Sequence, residues 1–219
     1  MNTSLPVREL EAMAPPCLEF LAEHTGHTVH PPGEWVLITS IEAYSEDDLD
    51  QVLETLSVML EERGVSPDST WGGFDENERK KLKEFRHLLP ETINRIISGL
   101  SMKNHCIHKI SSDTAVSPAE LREYHSYMSK VLNETQVEHV VFGHCGQGHL
   151  HANLIPENRK ELEESEKAVE LLAERAVLLG GTVSAEHGTG RLKKHFLKLM
   201  YSQNELEETE LLKSAIRSI

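Results

Sequence analysis

Two short stretches carry most of the side chains able to do chemistry. In GHCGQGHLHANL, residues 143–154, three histidines and an asparagine fall within ten residues. If its second half is a strand, His149, His151 and Asn153 share one face and Leu150, Ala152 and Leu154 the other, because side chains alternate along a strand. One face is then polar and the other is core. Glycines at 146 and 148 let the backbone double back, so His144 and His151 can converge on one point. Two imidazoles so placed are the start of a divalent metal site. Clustering alone is a weak argument in a chain with 13 histidines, and His149 also reads simply as a solvent-facing or hydrogen-bonded strand histidine.

The second stretch is GGTVSAEHGTGRLKK, residues 180–194. It sets Glu186 and His187 at the end of an expected strand, in a glycine-punctuated loop before a helix expected from Arg191. Loops of this kind are where sites tend to sit. A glutamate there would supply the carboxylate that turns two histidine ligands into a three-ligand catalytic site, with positions left for substrate or water. The plainer alternative is a salt bridge from Glu186 to Lys193 or Lys194.

Elements must bring these stretches together. Residues 1–33, with Pro6, Pro15, Pro16, Pro31 and Pro32, read as a partly extended lead-in holding one short helix over 18–24, and residues 34–219 read as one domain. The run WVLITSIEAY at 35–44 is β-rich, and Ser45 with Asp48 makes a helix start. Leu49, Val52, Leu53, Leu56 and Leu60 follow at helical spacing, so a buried face is expected, and Gly64 ends the helix. A strand at 70–74 would complete a βαβ unit. Residues 77–98 read as a helix that Pro90 breaks or bends. Next come a strand at 106–116, a helix after Pro118 with Leu121, Tyr124, Met128 and Leu132 inward, and strands at 137–144 and 149–155. A helix over 159–179 buries Leu162, Val169, Leu172, Ala173, Ala176 and Leu179; Gly180 and Gly181 stop it, and TVSA starts a further strand. The tight turn at 146–148 joins two strands directly and so demands an antiparallel pair. The expected fold is therefore α+β: a ferredoxin-like plait, mainly antiparallel, with helices on one face.

Composition limits the partners. With 36 Asp and Glu against 22 Lys and Arg, the formal net charge is −14, which argues against nucleic acid or an anionic membrane surface. An anionic substrate would need local cations or a metal to overcome that field. Cys17, Cys106 and Cys145 are few and form no CxxC pair, as expected of a reducing compartment, and the protein reads as cytoplasmic. No stretch approaches the roughly 18 to 20 apolar residues of a membrane span, and the first residues are too polar for a secretory signal.

Together the two stretches resemble the hallmark motifs of the C-terminal domain of FAD-linked oxidases, the family of D-lactate and D-2-hydroxyglutarate dehydrogenases and the flavin subunit of glycolate oxidase. The first motif, roughly H-x-G-D-G-N-L-H-x-N, is matched by His144, Gly146, Gly148, Leu150, His151 and Asn153. The second, roughly G-G-x-x-S-x-E-H-G-x-G, is matched by Gly180, Gly181, Ser184, Glu186, His187, Gly188 and Gly190. FRHLLPETIN around Arg86 and SSDTAVSP around Asp113 resemble two further family segments. Gln147 and His149 depart from the usual Asp and Asn, which leaves turn geometry and metal preference open.

The resemblance implies His144, His151 and Glu186 as ligands of a divalent metal, Zn or Mn, with His187 as catalytic base. Arg86 and Asn153 would contact the substrate, and Lys109 would be a second cation at its carboxylate. It implies an FAD-dependent oxidoreductase that turns a 2-hydroxy acid into a 2-keto acid. No glycine-rich flavin-cradling stretch precedes Trp35, so the FAD-binding domain is expected to lie on a missing segment or a partner chain, and the fragment alone is expected to be inactive. A different class of reading is a stand-alone, non-catalytic metal-binding or interaction module. A metallohydrolase using the same residues is a third, but no HExxH motif is present.

Overall fold

The computed structural model describes residues 5–26, 33–66, 69–191 and 193–217. Pro31 and Pro32 of the expected lead-in, and Leu192 beside the expected last helix, lie outside the described residues. As expected, the chain is α+β, with antiparallel strands and helices. It divides into two compact units: one takes the residues up to Gly99 with Val140–Gly146, the other takes Leu100–His139 and the residues from Gln147 onward.

In the first unit the strand order is β2 (Val36–Ile41), β1 (Val7–Met13), β4 (His139–Gly143), each pair antiparallel. Strand β1 falls in the stretch read as lead-in, and its last residues Glu11, Ala12 and Met13 are buried. Pro15 and Pro16 occupy the first turn of α1 (Pro15–Thr25), where a missing N–H costs nothing, and Gly26 closes the helix at φ 75°. Helix α1 is longer than the 18–24 expected, and buries Cys17, Leu18, Phe20 and Leu21.

Ser45 caps α2 (Glu46–Glu61) as its sequence suggests, accepting the Asp48 N–H at 3.1 Å. The face expected to be buried is not: Val52 alone is buried, while Leu49, Leu53, Leu56 and Leu60 are half-buried. No strand forms at 70–74, and Trp71 and Phe74 are exposed, so the expected βαβ unit is absent. Helix α3 (Glu76–Lys103) runs 28 residues straight through Pro90. Burial of Leu89, Thr92, Ile93 and Ile97 on one face outweighs the local cost of the proline, since helical stability comes mostly from packing.

In the second unit, α4 (Leu121–Thr135) packs on α5 (Arg159–Leu178). Tyr124, fully buried, shares a hydrogen bond with the Thr114 hydroxyl at 2.6 Å and donates to the Leu172 carbonyl at 3.1 Å, tying both helices to the segment before α4. The helix expected from Arg191 starts later: the one-turn α6 (Leu197–Met200) and then α7 (Gln203–Arg217) follow.

Strands in this unit are shorter than the sequence suggests. Of the expected 106–116 only β3 (Ile110–Ser111) is regular, paired antiparallel with β5 (His151–Leu154). Beyond Ser111 the pairing is irregular: the Ser112 N–H still donates to the Ala152 carbonyl at 2.9 Å, but the Ala152 N–H goes to the Ser112 hydroxyl, 2.9 Å, instead of a carbonyl. The stretch nevertheless stays extended, and Ala115 bridges His149 on one side and Thr182 on the other. TVSA contributes that single bridge and no strand. Both faces of residues 149–154 are covered: Leu150, Ala152 and Leu154 are buried, and so are His149 and Asn153.

Candidate metal centre

The extended stretch 110–116 is the spine on which the site is built, because both chemistry-bearing segments of the second unit lie against it. Close approach is the reason for two of the glycines. A Cβ at Gly148, where φ is +69°, would lie 1.9 Å from the Val116 carbonyl oxygen, and one at Gly181 would lie 2.2 Å from that of Ala115. Neither position has room for a side chain.

Four side chains then converge. One ligand atom from each of Asp113, His149, His151 and Glu186 lies within 4.8 Å of all the others. The His151 Nδ1 is 3.1 Å from the Ser112 carbonyl; a carbonyl only accepts, so Nδ1 carries the proton and Nε2 presents a lone pair. That lone pair faces Glu186 Oε1 at 3.1 Å. Two lone pairs at this distance repel unless a proton or a cation lies between them. Burial, the largest influence, pushes His151 below its usual 6.5, although the Ser112 bond and the charges of Glu186 and Asp113 work the other way. A neutral imidazole whose far nitrogen is fixed on a backbone carbonyl is the arrangement that metal-bound histidines show. The donor set of imidazole and carboxylate suits a borderline divalent ion.

His187 meets the same carboxylate oxygen, with its Nε2 3.0 Å from Glu186 Oε1 and its side chain 67% exposed. Its ring centroid is 5.7 Å from that of His151. His149, by contrast, is buried, 4.1 Å from the His151 ring centroid and with Nε2 3.3 Å from Asp113 Oδ1. Asp113 is buried too. Burial acts most strongly, to raise its pKa, yet the Ser184 hydroxyl, the His187 N–H, the Lys193 charge and the Glu186 N–H together hold the carboxyl below its usual 3.8.

Asn153 is 2% exposed, and its Nδ2 makes no hydrogen bond among the described residues. Lys109 and Lys193 line a cavity of about 270 Å³ beside Phe196, and burial lowers both lysine pKa values.

His144 and Arg86 belong to the first unit, where they meet a residue that sequence reading passed over. Glu11, buried in β1, takes the Arg86 guanidinium on both oxygens and stands 3.2 Å from His144 Nδ1. Glu11 is one of two glutamates in VRELEAM, and nothing in that pattern sets it apart from Glu9. In the sequence Asp113 stands out only as part of a family-like segment, and His149 only by its spacing from His151 and Asn153.

The chain matches the family described as FAD linked oxidases, C-terminal domain, over residues 1–216. Over 203 residues it is 25% identical to the glycolate oxidase subunit GlcD of Bacillus subtilis, covering 92% of this chain and 42% of that protein. With the D-2-hydroxyglutarate dehydrogenase of Stutzerimonas stutzeri the identity is 26%, over 81% of this chain and 37% of the relative. A D-lactate dehydrogenase of Archaeoglobus fulgidus is 32% identical over 42% of this chain and 20% of its own length. The chain thus spans less than half the length of these curated relatives. It belongs to the family of FAD-linked oxidase C-terminal domains.

Proposed function

We propose that the chain forms the metal- and substrate-binding half of an FAD-dependent 2-hydroxy-acid dehydrogenase. The observation that carries this reading is the His151 lone pair set against the Glu186 carboxylate at 3.1 Å, with the exposed His187 on the same carboxylate. A divalent ion such as Zn or Mn held there would acidify the 2-hydroxyl of a chelating hydroxy acid, while FAD, bound by a domain or chain that complements this one, would accept hydride from C2.

The remaining work falls to the chain's own groups. His187 takes the hydroxyl proton on its imidazole as the C2–H electron pair leaves, so the 2-hydroxy acid becomes a 2-keto acid. Asn153 offers a buried N–H without an acceptor among the described residues, the condition of a donor that a ligand oxygen satisfies. Lys109, immediately before β3, supplies a cation for the substrate carboxylate. For His144 and Arg86 the family motif supports the roles of a further ligand and a carboxylate contact, each to be tested by its own variant. Three free cysteines fit a reducing compartment, and among the described residues no helix is long and apolar enough to cross a membrane.

Calorimetric titration of glycolate, D-lactate and D-2-hydroxyglutarate into Mn-loaded protein tests the reading. At least one should bind only with the metal present, and propionate, which lacks the hydroxyl, should bind far more weakly. Hydroxy-acid binding that persists after metal removal, or no binding of any of the three, would overturn it.

A further inference from the structure

Residues 184–187, which carry Glu186 and His187, form neither helix nor strand, so something other than a backbone ladder must fix their spacing. Every one of the four is tied to one residue. The Ala185 N–H donates to the Asp113 carbonyl at 2.8 Å. The Asp113 carboxylate takes the rest: the Ser184 hydroxyl at 2.8 Å and the His187 N–H at 3.1 Å on Oδ2, and the Glu186 N–H at 3.4 Å on Oδ1. That same Oδ1 lies 3.3 Å from His149 Nε2, whose ring stands against His151. One buried carboxylate therefore touches both segments that carry the site.

We propose that Asp113 is the positioning residue of the centre: its carboxylate clamps the loop 184–187 and thereby sets the distance of Glu186 and His187 from His151. The clamp rests on the reading of Glu186 and His187 as working groups, but its geometry holds in metal-free protein. The carboxylate is suited to the task because the three groups that the loop aims at it are all donors, and an ionised aspartate is acceptor-only. Asparagine would put an NH₂ against N–H and O–H donors and satisfy fewer of them. Bonds to an ionised acceptor are also the stronger kind.

The test compares wild type with Asp113→Asn, Ser184→Ala and, as a control, Leu162→Ala, which weakens the packing of α5 in the same unit and removes none of the Asp113 bonds. Amide hydrogen exchange in metal-free protein is read at Glu186 and His187, and Zn affinity is read by titration. In Asp113→Asn the two amides should exchange about tenfold faster or more, and Zn should bind roughly 10- to 100-fold more weakly. Ser184→Ala, which removes one of the donors, should shift both in the same direction by less, and it reads out the clamp if Asp113→Asn does not fold. Leu162→Ala should leave both unchanged. Unchanged exchange in both clamp variants, equal acceleration in Leu162→Ala, or faster exchange with undiminished Zn affinity would overturn the proposal. A wild type that binds no Zn sinks the metal reading instead, and the exchange rates then decide the clamp alone.

Discussion

At the scale of single residues, the site depends on places where backbone approaches backbone. Gly148 and Gly181 are required by contact, as their carbonyl neighbours leave no space for a Cβ. Gly188 differs: it also has a positive φ, +68°, but nothing lies within 4 Å of a Cβ built there. Gly188→Ala should therefore cost only the conformational strain, about 1–2 kcal/mol. Gly148→Ala adds displacement of the Val116 backbone, bringing the loss to about 3 kcal/mol or more. Urea unfolding of the two variants checks this, and equal losses would show that the close approach does not matter. The motif glycines were visible in the sequence, yet the two physical reasons behind them were not, because one depends on a neighbour far away along the chain. The same holds for His149 and Glu11. Alternation correctly put His149 on the face of His151, but its burial beside Asp113 depends on a segment more than thirty residues earlier, beyond the reach of local pattern.

At the scale of elements, long amphipathic helices were the most legible features. Helix α5 begins where Asn158 caps it and buries Leu162, Val169, Leu172, Ala173 and Ala176 of the expected stripe, while Leu179, just past its end, is half-buried. Strands were less legible because here they are short and partly replaced by side-chain bonds. Ser112 is the clearest case: in 106–116 it reads as one more β residue, whereas its hydroxyl stands in for a carbonyl toward the Ala152 N–H. Ser112→Ala should leave that buried N–H without its acceptor and cost about 1–3 kcal/mol, again measured by urea unfolding. A loss within experimental error would mean that the ladder closes without the hydroxyl. Pro90 misled for the opposite reason, since propensity argues a break, while the buried stripe of Leu89, Ile93 and Ile97 keeps α3 continuous.

For the whole molecule, the net charge of −14 means that an anionic substrate must meet local positive charge, and Lys109 and Lys193 line one cavity in the unit that carries His151. The three cysteines differ sharply in surroundings: Cys17 is buried, with its thiol pushed up to about 12 by burial, Cys145 is partly covered, and Cys106 is exposed. Iodoacetamide at neutral pH should thus alkylate Cys106 in the native protein and spare Cys17 until it unfolds; labelling of Cys17 at a similar rate, found by peptide mass analysis, would contradict its burial. The family was legible from two motifs because their residues are kept together along the chain. The clamp and the Glu11 pair were not, because folding alone assembles them. The central claim is that His151 and Glu186 hold a divalent ion with His187 beside it, and titration of Zn into metal-stripped protein tests it most directly. Wild type should bind a single ion; His151→Ala should weaken binding by more than the roughly 10- to 100-fold expected for loss of an outer-shell partner, and His187→Ala by no more than that. Equal effects of the two variants, or full affinity in His151→Ala, would contradict the account.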